Sequence, residues 1–313
     1  MKKIRFVFCI ALVAGLVSCN KQVTETEALK PISFRMDDNM SVDVLQSKAI
    51  TDATAGNVDK IWVTATSGTA KSSETAFTAL TNAEIALSSG SGSSAAYWPT
   101  TGTLNFYATN WNATHTLASQ TSGVTCSVTN AGSASDDYIA GAALAVANGT
   151  TPVVFNGMKH IFSRLFDLKF YVSEGSEATI TKVTVQPAKT TGTYSLTDGS
   201  WSNTAAGTAS TVTITPTTTK IPGTSISKET ATSVGQSNVD HTFVPGDVTI
   251  NVEYTITRPG YTADFTKSAT VALVAGQKST VAGLLADDAT PITFQITVAE
   301  WVVPDQPLNP VFN

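Results

Sequence analysis

Three histidines, three cysteines and the adjacent acids Asp136-Asp137 and Asp287-Asp288 are the residues of this 313-residue chain whose types and spacing could carry chemistry. His115, His160 and His241 stand apart, and none has a second histidine at the i, i+4 spacing with which one helix face holds zinc. His160 lies in Asn156-Gly157-Met158-Lys159-His160-Ile161-Phe162. No nucleophile context surrounds it, so it reads as a packed or turn histidine rather than a base. Asp136-Asp137 and Asp287-Asp288 could bind calcium or act as a glycosidase pair. Adjacent acids in a strand point to opposite faces, however, and in loops they cap turns, which is the reading adopted for both. Cys126 shares a strand face with Val124 and Val128 and reads as a small core residue. No G-x-S-x-G, no P-loop and no G-x-G-x-x-G after a strand occurs. No cofactor, metal site or enzymatic activity is expected.

Cys19 carries a different chemistry. Lys2, Lys3 and Arg5 precede an apolar run, Phe6 to Val17, that has the layout of a secretory signal and falls short of the about 20 residues a bilayer span needs. Leu16-Val17-Ser18-Cys19 then resembles the lipobox of signal peptidase II. Cleavage between Ser18 and Cys19 would leave a thiol to take diacylglycerol and a triacylated, membrane-anchored N-terminus, each buried CH₂ adding about 0.8 kcal/mol. With residues 1–18 gone, 295 residues remain and the formal charge moves from -5 to -8. That charge argues against a nucleic-acid partner. Only Cys126 is then left besides Cys19, so no disulfide can close within the chain.

The mature length suits two domains, and the Thr-, Ser-, Val-rich, charge-poor composition suits β-sheet. Asn20 to Pro31 reads as a polar tether. In Ile32-Ser33-Phe34-Arg35-Met36 apolar and polar residues alternate before Asp37, Asp38 and Asn39 end a leading strand. A first block contains Ile61–Ala65, Leu104–Ala108 and Val124–Val128, with a mobile Ser/Gly-rich loop at 88–94 and a helical turn at Ala140–Val146. A second block starts near Val153 and includes Phe166, Leu168, Phe170 and Val172 at every second position. Val248, Ile250, Val252, Tyr254 and Ile256 define one buried face, and Ile292, Phe294, Ile296 and Val298 repeat the pattern, with Trp301 on the opposite parity. Regular alternation broken by turn residues predicts an all-β sandwich architecture.

In order along the chain, these parts resemble the Bacteroidetes fimbrillins, the lipoprotein precursors of type V pilus subunits and their Mfa-like relatives. The features are the lipobox, the tether, the leading strand, Lys48-Ala49, Lys60-Ile61-Trp62-Val63-Thr64-Ala65, Trp98-Pro99 before Leu104-Asn105-Phe106-Tyr107-Ala108, Asp137-Tyr138-Ile139-Ala140, the run from Phe155 through His160 to Leu168, and the closing strand to Trp301. The resemblance implies two tandem transthyretin-like β-sandwich domains, 49–152 and 153–313, behind a signal peptide (1–18) and a lipidated tether with leading strand (19–48).

It further implies that Ile32, Phe34 and Met36 fill a groove until a protease removes their strand, and that a strand from another pilus subunit then replaces it by β-augmentation. Such a protein sits on the cell outer membrane as a surface lipoprotein and in the fimbrium after processing. Cleavage in the family follows a basic residue, arginine in the best-known members, whereas the position here holds Lys48 before Ala49, and the nearby arginine, Arg35, lies within the leading strand. Pro304, Pro307 and Pro310 make the last residues a poor ladder donor, so either the 292–303 strand is donated or the subunit accepts a strand and donates none. The alternative function is a lipid-anchored adhesin that never polymerises and binds a host or bacterial surface glycan or protein, with Tyr97, Trp98 and Trp111 as candidate stacking platforms.

Overall fold

The computed structural model describes residues 30–36, 58–68, 74–117, 123–156, 158–207, 210–287 and 292–300. Its secondary structure is almost wholly β, with one short helix, Gln236–Val239, among the described residues. Among the described residues, five sheets pack around three apolar clusters.

The first sheet has three strands, Val153–Phe155, Pro31–Met36 and Ser91–Tyr97, with Pro31–Met36 in the middle. The second runs Lys159–His160, Ile139–Ala147, Thr103–Thr109, Lys60–Ser67, Thr75–Ala76, and Ala83–Ala86 also pairs with Lys60–Ser67. Ile61, Val63, Leu104, Phe106 and Ala108 of the second sheet pack against Ile32, Phe34 and Met36 of the first. Tyr107 and Ala140 belong instead to a cluster with Val124, Cys126, Tyr194 and Leu196. The second sheet is thus covered on both faces, which is why six consecutive residues, Leu104 to Thr109, are buried. A strand buried on both sides must be apolar or hydrogen-bonded throughout.

The layer covering that second face is a four-stranded sheet of Trp201–Ala205, Thr191–Ser195, Val124–Thr129 and His115–Leu117. Its two hairpins come from opposite sides of the expected boundary at 152/153, and Tyr194 pairs with Cys126 across it. Val153–Phe155, expected to open the second block, pairs with the leading strand, and Lys159–His160 pairs with Ile139–Ala147 of the first block. Sheet pairing therefore does not divide the chain at 152/153.

The remaining two sheets form a sandwich. One is Thr232–Ser233, Ser163–Val172, Gln277–Leu285 and Phe294–Glu300, with His241–Phe243 also on Ser163–Val172; the other is Val212–Ile214, Glu177–Pro187, Gly246–Arg258 and Tyr261–Leu273, with Lys220–Ile221 on Glu177–Pro187. Val248, Ile250, Val252, Tyr254 and Ile256 all face this core, as their spacing predicts.

Four local expectations are corrected. Residues 91–94 are part of a strand, because their backbone pairs with the leading strand. Ala140–Val146 lies in a strand, not a helical turn, held by its ladder to Thr103–Thr109 and bulged where Asn105 Oδ1 accepts the Ala145 amide. Phe166 leaves the face of Leu168 and Phe170, because the pairing with Gln277–Leu285 shifts register between Leu165 and Asp167 and hands the inward position to Leu165. Phe294 and Ile296 are only half-buried, and Val298 is 46% exposed, because their strand is the edge of its sheet. Trp301 lies outside the described residues.

Candidate functional site

The leading strand pairs in parallel with Val153–Phe155 and antiparallel with Ser91–Tyr97. Further bonds fasten both of its ends: the Met36 amide donates to Gly90 O at 2.9 Å, and the Trp98 amide donates to Lys30 O at 3.0 Å. Ser94 Oγ donates to Ile32 O at 3.1 Å where the register shifts between Pro31 and Ser33. Neither flanking strand has another strand partner among the described residues. The leading strand is therefore the element through which this three-stranded sheet is joined.

Strict alternation sends Ile32, Phe34 and Met36 inward, all 2% exposed or less, and leaves Arg35 exposed. Phe34 is the centre of the contact. Its ring meets Phe106 edge-on, with centroids 5.6 Å apart and planes at 76°, and stacks on Phe155 at 6.0 Å and 18°. Across the antiparallel ladder it faces Gly92. A Cβ on Gly92 would come within 2.3 Å of Ala86 O, so the bare backbone is what lets the neighbouring strand pass so closely. At about 1.5–3 kcal/mol for each large side chain, the three buried residues add an apolar anchor to the two ladders. Arg35, which pairs with Val154 on one side and Ser91 on the other, is held in extended backbone from both flanks. Ser18, Cys19, Lys48 and Ala49 lie outside the described residues.

The other chemically capable residues are dispersed. His115 is buried between two hydroxyls, Nδ1 at 2.9 Å from Thr64 Oγ1 and Nε2 at 3.0 Å from Thr109 Oγ1. Burial lowers its pKa to about 4, so it is neutral. Cys126 is buried, and desolvation raises its thiol to about 12, which leaves it a core residue without nucleophilic character. Asp137, read from sequence as a turn acid, is buried and meets His160 Nδ1 at 2.6 Å. Tyr107 donates its hydroxyl to Glu74, whose same oxygen accepts from Asn105 Nδ2 at 2.7 Å; burial, more than the carboxylate, raises the phenol's pKa. The sequence reading missed Arg164 and Asp240, which form a buried two-point ion pair with both contacts at 2.6 Å. Nothing in the spacing of those two residues could have paired them. No group of three or more His, Cys, Asp and Glu side chains suited to a metal ion occurs among the described residues.

Of the three aromatics considered as platforms, Trp98 is buried in the first core and Trp111 is stacked on Tyr138 at 4.6 Å. Tyr97 is 48% exposed.

Comparison with known proteins agrees with this architecture. A model of the fimbrillin-like family matches residues 47–301, so the leading strand lies just upstream of the matched region. A fimbrial protein from Bacteroides vulgatus superposes with a TM-score of 0.63 at 15% identity, over 87% of this chain and 100% of that one. A candidate cell adhesion protein from Bacteroides ovatus does so with a TM-score of 0.50 at 16% identity, over 89% and 100%. No curated protein sequence matches.

Proposed function

The chain belongs to the fimbrillin-like family, and from that premise we propose that it is a fimbrial subunit assembled by exchange of its leading strand. It is exported as a lipoprotein on Cys19 and held at the outer membrane. Cleavage between Lys48 and Ala49 then frees the leading strand together with the lipid, and a strand from a neighbouring subunit takes the vacant place. The anchor is on this reading a temporary tether.

The observation that carries the proposal is the central position of Pro31–Met36 between two strands with no other strand partner among the described residues. Its departure uncovers Phe106 and Phe155, at about 1.5–3 kcal/mol for each large side chain re-exposed, and leaves two strands without a ladder. A donated strand restores both terms at once, through backbone bonds for affinity and alternate side-chain pockets for specificity. Arg35 is an unsuitable cut site because a protease needs extended, unpaired backbone, and Arg35 is paired on both sides. The stacking-platform argument for a non-polymerising adhesin loses Trp98 and Trp111 to packing.

Treatment of the full-length protein with a lysine-specific protease tests this. The expected result is a new N-terminus at Ala49 and a ladder of oligomers on electrophoresis. A different start, or an Ala49 start that stays monomeric, overturns it.

A further inference from the structure

Among the described residues the longest strand at a sheet edge is Tyr261–Leu273, of 13 residues. It pairs with Gly246–Arg258 along its whole length, and its other side has no strand partner among the described residues. Such an edge is a ready template for one more strand. Its outward row, Thr262, Asp264, Thr266, Ser268, Thr270 and Ala272, is exposed. Its inward row holds Tyr261, Phe265, Ala269, Val271 and Leu273, which lie in or against the sandwich core, and a single charge, Lys267. Lys267 pairs with Val252, a fully buried core residue, and its ammonium lies 5.9 Å from the centre of the Phe265 ring. It is also the midpoint of the strand.

We propose that this edge is a pairing surface for the same strand of a second copy of this chain, and that Lys267, by opposing itself across the two-fold axis, holds the surface closed. Laid antiparallel on its copy with full overlap, the strand keeps each row on its own face of the sheet. Tyr261 then faces Leu273, Ala263 faces Val271 and Phe265 faces Ala269, so apolar residues meet apolar ones. On the outward row Asp264 faces Thr270 and Thr266 faces Ser268, which brings no like charges together. Lys267 alone meets an identical charge. Like charges directly opposite each other destabilise a strand pair, and more so beside apolar groups that keep water away. A slip by one residue would place the inward row of one copy against the outward row of the other, so the register that suits the apolar residues is the one that joins the lysines. The long edge is thereby kept from lateral contact with its neighbours, and it opens when one lysine of the pair is neutralised or met by an acid. The inference concerns the uncleaved chain and does not rest on exchange of the leading strand.

Light scattering on the uncleaved full chain tests this. The parent and the Lys267→Glu variant should each be monomeric alone, whereas their equimolar mixture should form a heterodimer, because an ammonium then faces a carboxylate across the new ladder. The mixed pair should be at least about tenfold tighter than either protein with itself. Lys267→Val, which removes both charges, should dimerise alone, and Thr266→Val, which adds the same apolar group on the outward row, should stay monomeric. In each dimer, hydrogen exchange should slow at the backbone amides of residues 261–273. A mixture that stays monomeric although both proteins are folded overturns the inference, and so does a monomeric Lys267→Val. Dimerisation without added protection of residues 261–273, or equal association of Thr266→Val, overturns it as well.

Discussion

Phe34 and Phe155 stack with ring centroids 6.0 Å apart and planes 18° from parallel, joining the strand that precedes the family-matched region to one well inside it. Beyond this contact, Phe34 meets Phe106 of the second sheet. A single side chain therefore ties three strands from distant parts of the sequence, and it sits on the one strand that the proposed processing would remove.

Replacing Phe34 with alanine should lower stability by about 3–5 kcal/mol, the range for emptying a phenylalanine site in a core. The transition in chemical denaturation should move to lower denaturant accordingly, while Arg35→Ala, whose side chain is exposed, should change it by less than about 0.5 kcal/mol. Equal effects from the two would contradict the burial described here.

Native protein should resist cleavage at Arg35 by an arginine-specific protease, because both edges of its backbone are paired. Mass spectrometry of a short digestion should find no fragment beginning at Met36 until denaturant is added. Rapid cleavage there in buffer would mean the strand is not held as described.

Neutral, buried His115 makes folding sensitive to acid. Its folded pKa is lowered from 6.5 to about 4, so between those values the unfolded chain binds the extra proton and the folded one does not. The contribution of this residue is full above pH 6.5, declines as pH falls towards 4 and is flat below. The loss is about 3 kcal/mol. Denaturation curves taken from pH 7 to pH 4 should show a shallower decline for His115→Asn than for the parent. Parallel declines would place the acid sensitivity elsewhere.

The Arg164–Asp240 pair predicts an asymmetry. Asp240→Asn leaves a buried guanidinium without its counter-charge and should cost about 3–5 kcal/mol, whereas replacing both residues with apolar ones of similar volume, Arg164→Met with Asp240→Leu, should cost less than the single change. A double variant weaker than Asp240→Asn, measured by thermal or chemical unfolding, would rule this out.

Much of the architecture is legible in alternation alone. Val248 to Ile256 shows its buried face at every second residue, and Ile32, Phe34 and Met36 do the same, because the strand period is two and burial follows apolar side chains. The all-β class follows from the repetition of that signal, and the match to the fimbrillin-like family agrees with it. Local irregularities are less visible. Phe166 keeps the alternating pattern yet turns outward, since a bulge after Leu165 is set by the partner strand. The stretch Ala140–Val146, rich in alanine, carries too little side chain to distinguish a helix from a strand until Thr103–Thr109 lies beside it.

By itself the sequence determined which residues seek the interior and in what local rhythm. Which strands become neighbours was decided only by tertiary structure. Alternation specifies a face but not the strand across the ladder, and long-range pairing is selected by how side chains from remote segments fit together. So the middle position of Pro31–Met36, the joining of Thr191–Ser195 to Val124–Thr129, and the meetings of Asp137 with His160 and Arg164 with Asp240 appear only when the chain is folded.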